Sequence, residues 1–181
     1  MIEVRFHGRG GQGAVTSAEI VAQAAINEGL YAQAFPNFGP ERRGAPVLAF
    51  LRVSDKPIRL RSKVYEPNAI VILDPTLLSS ASPTNGLKKD GFVVINSNKP
   101  EEELRTFFSG FKIACVDASR IAREEMGIPI TNTTMMGSLV RATKIVNLAS
   151  LDEPTKHRFG FIAQKNINAY TRAFNETQII G

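Results

Sequence analysis

Residues 2–13 read Ile2-Glu3-Val4-Arg5-Phe6-His7-Gly8-Arg9-Gly10-Gly11-Gln12-Gly13, and residues 14–27 continue AVTSAEIVAQAAIN. Residues 2–7 are rich in strand formers. Gly8-Arg9-Gly10-Gly11-Gln12-Gly13 fits G-x-G-x-x-G. In the alanine-rich stretch after it, Val15, Ala18, Ile20 (or Val21), Ala25 and Ile26 form an apolar stripe, so 14–27 is predicted as a helix stopped by Gly29. Strand, glycine turn and helix in this order open an α/β sheet. Glycine permits positive φ and close backbone approach, and the free N–H groups of a helix start point toward an anion.

The residues after the turn narrow the identity of that anion. A dinucleotide fold places an acid about 20 residues on, at the end of the second strand, to hold ribose hydroxyls. Here that strand, predicted at 30–35, ends Ala34-Phe35-Pro36, and Glu28 precedes it. NAD and FAD are therefore disfavoured. No Lys-Ser/Thr comes after the glycines, which excludes a Walker A loop. A phosphate-bearing ligand and a tight turn without a ligand both remain open.

Beyond residue 36 the chain alternates. A polar loop over 37–46 leads to a strand at 47–53, and Ser54-Asp55-Lys56-Pro57 reads as a hairpin turn into a second strand at 58–60. Short apolar runs at 69–73, 91–95 and 112–116 have the pattern of strands buried on both faces. Helices are predicted at 76–82, 101–108, 118–126, 134–148 and 159–174. The expected fold is a three-layer α/β/α domain spanning 1–181, with a mainly parallel, mixed central sheet and an antiparallel hairpin.

Composition removes several function classes. The single cysteine, Cys115, excludes an internal disulfide and an all-cysteine iron–sulfur cluster. Its apolar setting, FKIACVDAS, reads as a buried structural thiol. His7 and His157 are the only histidines, too few for a Cys/His zinc site. No apolar stretch is long enough to span a membrane, and residues 1–13 do not read as a secretory signal, so a cytoplasmic chain is expected. Lysine and arginine outnumber aspartate and glutamate by 22 to 17, a net charge of +5. Much of it lies in Arg42, Arg43, Arg52, Lys56, Arg59, Arg61 and Lys63. Aromatics are not interleaved there, which disfavours single-stranded nucleic acid as the partner.

Three motifs in order resemble one family. Gly8-Arg9-Gly10-Gly11-Gln12-Gly13 is similar to the glycine signature of the gamma domain of 2-oxoacid:ferredoxin oxidoreductases. Phe38-Gly39-Pro40-Glu41-Arg42-Arg43-Gly44-Ala45-Pro46 resembles its second signature, and Asn132-Thr133-Thr134-Met135-Met136-Gly137 its third. Arg158-Phe159-Gly160 extends the likeness toward the last helix. Glu41 through Pro46 looks more like the pyruvate and 2-ketoisovalerate members than the 2-oxoglutarate type. The resemblance implies a subunit of a complex that decarboxylates a 2-oxoacid oxidatively to an acyl-CoA and reduces ferredoxin. Thiamine diphosphate and iron–sulfur clusters then belong to the alpha, beta and delta partners. This chain would help to bind coenzyme A and hold the complex together, with Gly8, Arg9, Gly10, Gly11, Gln12, Gly13, Arg42, Arg43, Asn132 and Thr133 as candidate CoA contacts.

Each candidate also has a plain structural reading. Gln12 can bond a ligand or its own loop. Asn132 and Thr133 precede the predicted helix, where N-capping alone would explain them. Asp74 and Asp117, at strand ends, can each cap the next helix. No nucleophile–base pair or paired carboxylates are legible from spacing, so no catalytic residue is assigned. The alternative from another class is a free-standing nucleotide-binding domain, regulatory or enzymatic, using the same turn.

Overall fold

β1 (Ile2–Arg9) is an interior strand, third of seven in the sheet. The computed structural model describes residues 1–37, 44–79 and 82–181. After the glycine turn come α1 (Ala14–Asn27), β2 (Tyr31–Pro36), β3 (Pro46–Ser54) and β4 (Ala69–Ile72). A 3-10 turn over Pro75–Ser79 leads to β5 (Phe92–Asn96), α2 (Glu101–Phe107), β6 (Lys112–Val116) and α3 (Ala118–Met126). The chain closes with α4 (Asn132–Thr143), α5 (Asp152–Phe159), α6 (Ala163–Glu176) and β7 (Gln178–Ile180).

The seven strands form one sheet in the order β2-β3-β1-β4-β5-β6-β7. β1, β4, β5 and β6 run parallel, as strands joined by crossovers must. All four residues of β4 are fully buried, which explains its unbroken apolar run. Antiparallel pairing occurs at both ends, β1 with β3 with β2, and β6 with β7. The mixed α/β architecture is the expected one.

Side-chain alternation divides the core. Val4, Phe6, Leu51, Val71 and Val94 join α1, α3, α4 and α6 on one face. Ile70, Ile72, Val93, Ile95 and Ile113 meet Leu104 and Phe108, from α2 and its end, on the other. Burying one such aliphatic side chain stabilises by roughly 1.5–3 kcal/mol. α4 and α6 press together at Gly137, where a Cβ would lie 1.9 Å from the Tyr170 carbonyl oxygen.

Several expected elements differ. No strand forms at 58–60; β3 pairs instead with β2 and β1, so its antiparallel partners precede it in sequence. Residues 57–64 run over the second face of β2 and β3. There the buried Arg52 guanidinium donates through Nη2 to the carbonyls of Ser62 and Lys63, and through Nε to Glu3. Arg5 likewise donates to the carbonyls of Pro83 and Asn85. A coil laid on a sheet has carbonyls with no ladder partner, and these two arginines satisfy four of them. α4 stops at Thr143 rather than 148, because Lys144 takes the left-handed conformation at φ 52°. α5 and β7 were not expected, and the last helix begins at Ala163 rather than 159.

Candidate functional site

The C-terminal end of β1 is a topological switch point. β3 lies on one side and the parallel β4 on the other, the place where open α/β sheets collect ligands. The glycine turn occupies this end. Its left-handed residues are Gly11 (φ 91°) and Gly13 (φ 78°), which turn the chain from β1 into α1. Gly13 is the N-cap of α1 and has no side chain to cap it, and the first turn carries no acid. Among the described residues, the backbone N–H groups of Gly11, Gly13 and Ala14 make no hydrogen bond. They are the donors a helix start offers to an anion.

The turn is braced by its own side chains. Gln12 accepts from the Arg9 amide at Oε1 (2.7 Å) and donates from Nε2 to Asp74 Oδ2 (3.0 Å). Of its two open readings, the structure has the intramolecular one. Arg9 donates from Nε to Asp74 Oδ2 (3.0 Å), from Nη1 to the Gly44 carbonyl and from Nη2 to Thr76 Oγ1. Asp74 accepts from the Thr76 amide and hydroxyl at Oδ1. Burial pushes the Asp74 carboxyl up, but the bonds from Thr76, Gln12 and Arg9 outweigh it and hold the group below the usual carboxylate range. Asp74 is thus a brace, and Asp117 caps α3 by accepting from the Arg120 amide.

The three sequence motifs meet here. The second reaches the turn through its end, where Gly10 donates to the Ala45 carbonyl (2.9 Å) and Gly44 donates to the Gly10 carbonyl (3.3 Å). Arg42 and Arg43 lie outside the described residues. The third motif arrives from α4. Ser17 Oγ donates to the Asn132 carbonyl (3.0 Å), and the Asn132 amide packs on Gly13 so closely that a Cβ there would lie 2.4 Å from Nδ2. Asn132 and Thr133 are not caps. Thr131 is the N-cap, and both residues lie inside the first turn. Thr133 donates to Asn166 Oδ1 (2.7 Å), tying α4 to α6. Asn132 is nine-tenths buried as a residue, and its carboxamide makes no hydrogen bond among the described residues.

Beside the turn lies a cavity of about 390 Å³. Its walls are Met126, Ile128, Ile130, Phe159 and Ile162, with Asn132 and Lys165 supplying polar groups. Sequence reading missed this pocket, because its wall comes from the α3–α4 connection and the turn before α6, segments with no periodic signal. Cys115 is buried and its Sγ donates to the Ser97 carbonyl (3.3 Å); burial and then the Asp117 charge push its thiol up to about 11. One buried thiol of this kind does not fit an iron–sulfur cluster.

An open mixed sheet with a glycine turn from its first strand into its first helix places the chain among the α/β folds. Comparison with known proteins narrows it: the chain belongs to the pyruvate ferredoxin/flavodoxin oxidoreductase family, whose model matches residues 3–176. It is 51% identical to the pyruvate/ketoisovalerate oxidoreductases common subunit gamma of Pyrococcus abyssi, across 99% of this chain and 98% of that one. It is 49% identical to pyruvate synthase subunit PorC of Methanocaldococcus jannaschii, across 97% of each. The crystal structure of pyruvate oxidoreductase subunit PORC from Thermotoga maritima superposes with a TM-score of 0.89 at 38% identity, covering 99% and 98% of the two chains. A 2-oxoglutarate:ferredoxin oxidoreductase from Magnetococcus marinus, solved with 2-oxoglutarate, coenzyme A and succinyl-CoA bound, shares the fold. Its TM-score is 0.77 at 19% identity, over 95% of this chain and 30% of that one. The chain is therefore a gamma-type subunit of a 2-oxoacid:ferredoxin oxidoreductase, and the free-standing nucleotide-binding reading does not stand.

Proposed function

We propose that this subunit contributes to the coenzyme A site of its complex and helps to hold the alpha, beta and delta partners together. Thiamine diphosphate, the clusters and the handover to ferredoxin are assigned to those partners. The observation that carries the reading is the convergence of the three motifs at one switch point, where the backbone donors of Gly11, Gly13 and Ala14, unpaired among the described residues, stand beside the Asn132 carboxamide, likewise without a partner among them. The donors suit the phosphates of coenzyme A, with Arg42 and Arg43 as further phosphate partners. The largely apolar cavity, with the carboxamides of Gln12, Asn132 and Asn166 on its wall, suits the amide-bearing arm of the same molecule. Arg9 and Gln12 would act by bracing the turn, since their polar atoms are engaged within it.

Coenzyme A supplies the acyl-accepting thiol. This chain binds and orients it, while bond making belongs to the partner that holds the thiamine. Isothermal titration of the assembled complex with coenzyme A, dephospho-CoA and NADH tests this. Coenzyme A should bind most tightly and NADH poorly, because no acid awaits its ribose. Gly11→Val places a branched side chain at a left-handed position with open space around it, so it should weaken coenzyme A binding both by blocking the ligand's approach and by straining the turn. Normal coenzyme A binding by Gly11→Val and Arg43→Glu complexes would overturn the assignment.

A further inference from the structure

The cations at residues 56–63 play no part in the site above. Lys56, Arg59, Arg61 and Lys63 are all exposed, and among the described residues none has an ion-pair or side-chain hydrogen-bond partner. The acids next to them in sequence are Asp55 and Glu66, also exposed. Four positive charges within eight residues, unpaired among the described residues, match most of the net charge of +5. The segment that carries them is held in place. Arg52 is 1% exposed, fixes the carbonyls of Ser62 and Lys63, and leaves its own Nη1 buried without a partner among the described residues. Gln33 fixes the Ile58 carbonyl (3.2 Å), and Val64 is buried beneath the segment. Burying a guanidinium with an orphaned N–H costs free energy. Here it fixes the backbone under an array of cations.

Position separates these charges from the ligand site. Arg52 pairs with Glu3 across β1 and β3, whereas the glycine turn begins beyond Gly8 at the opposite end of β1. Five to six strand residues, about 20 Å at roughly 3.3 Å each, lie between them. A ligand in the turn cannot draw its phosphate partners from this ledge, so its counterpart is a separate surface. Nor does the ledge fit a docking redox carrier, which must approach a metal centre, because this chain has one buried cysteine.

We infer that the ledge over residues 56–63 is a docking surface for an acidic face of another protein chain of the same complex. Opposite charge there sets register and speeds encounter, and a pinned backbone loses little entropy on association. Exposed Leu60 and Tyr65 flank the cations and give that contact an apolar rim. The inference rests on the chain's being a complex subunit and is independent of coenzyme A.

The test separates this chain from the remaining chains of its oxidoreductase and recombines them over a series of NaCl concentrations. The triple variant Arg59→Glu/Arg61→Glu/Lys63→Glu should keep the wild-type circular dichroism and melting temperature. It should associate about tenfold or more weakly at low salt, with a flattened salt dependence. The neutral variant Arg59→Gln/Arg61→Gln/Lys63→Gln should fall between the two, and it serves if charge reversal impairs folding. Coenzyme A titration of any complex that forms should be unchanged, which keeps this result distinct from that of the glycine turn. Equal association of all three proteins at every salt overturns the inference. So does a loss confined to binding of a short duplex DNA probe with assembly untouched, which would assign the ledge to nucleic acid.

Discussion

The side chain of Asn132 lies directly against Gly13: a Cβ built on Gly13 would stand 2.4 Å from Asn132 Nδ2 and 3.0 Å from its Cγ. Two motifs more than a hundred residues apart thus share one contact, and Gly13 also has φ 78°. Gly13→Ala should destabilise by about 2–4 kcal/mol, from left-handed strain and the clash together. Gly11→Ala meets only the strain, since nothing lies near its added methyl; about 1–2 kcal/mol is expected. Adding Asn132→Ala to Gly13→Ala should recover the steric part. Urea unfolding of five proteins, the wild type, Gly11→Ala, Gly13→Ala, Asn132→Ala and the double variant, reads this, and additive losses with no recovery would refute the contact.

Gly137 makes a second prediction. Its added methyl would meet backbone, the Tyr170 carbonyl at 1.9 Å and the Phe174 amide nitrogen at 3.0 Å, so no side-chain rotation relieves it. Gly137→Ala must push α4 and α6 apart, at a cost of about 3 kcal/mol or more. The expected result is a melting temperature many degrees lower, or insoluble protein. A Gly137→Ala chain that melts with the wild type would contradict the packing described.

His7 carries a pH prediction. It is buried on the second face of the sheet, and its Nε2 accepts from Arg5 Nε (3.0 Å), so the proton of the neutral ring sits on Nδ1. Burial, then the Arg5 charge, lower its pKa to about 3. The unfolded chain protonates near 6.5 while the folded one does not. Stability contributed by the neutral ring is therefore full above about 6.5 and falls as the pH drops toward 3, by at most about 1.4 kcal/mol per pH unit. Nitrogen-15 NMR of the imidazole should show the Nδ1–H tautomer unchanged from pH 8 to pH 4.5. Titration of His7 near 6.5 in the folded protein would contradict it.

Cys115 should be inert. With its thiol raised to about 11, roughly one part in a thousand is thiolate at pH 8, and that fraction is buried. Iodoacetamide at pH 8 should leave the native chain unmodified by mass and alkylate it fully in guanidinium chloride. Rapid native labelling would show the site to be open.

Much of this protein is written locally. The glycine turn between β1 and α1 needs only residues 2–27, because a strand former, positive-φ glycines and a 3.6-residue stripe each act within a few positions. β4, β5 and β6 announce themselves as apolar runs for the same reason. Other elements carry no such mark. α5, DEPTKHRF, buries only Pro154 and Thr155 and so shows no apolar stripe, and β7 has three residues and forms only because β6 offers an edge. Residues 58–60 look like a strand, yet buried Arg52 claims the carbonyls just beyond them, at Ser62 and Lys63. The motifs themselves were legible, but not that they touch. Asn132 reads as a cap until α4 is laid across α1, and the sequence leaves Gln12 between a ligand and a neighbouring loop, whereas the fold brings Asp74 to its amide. Turn chemistry and hydrophobic period act between near neighbours, so sequence alone determined the elements and the family resemblance. Which polar group satisfies which depends on distances between segments remote in sequence, and only the packed tertiary structure decided those.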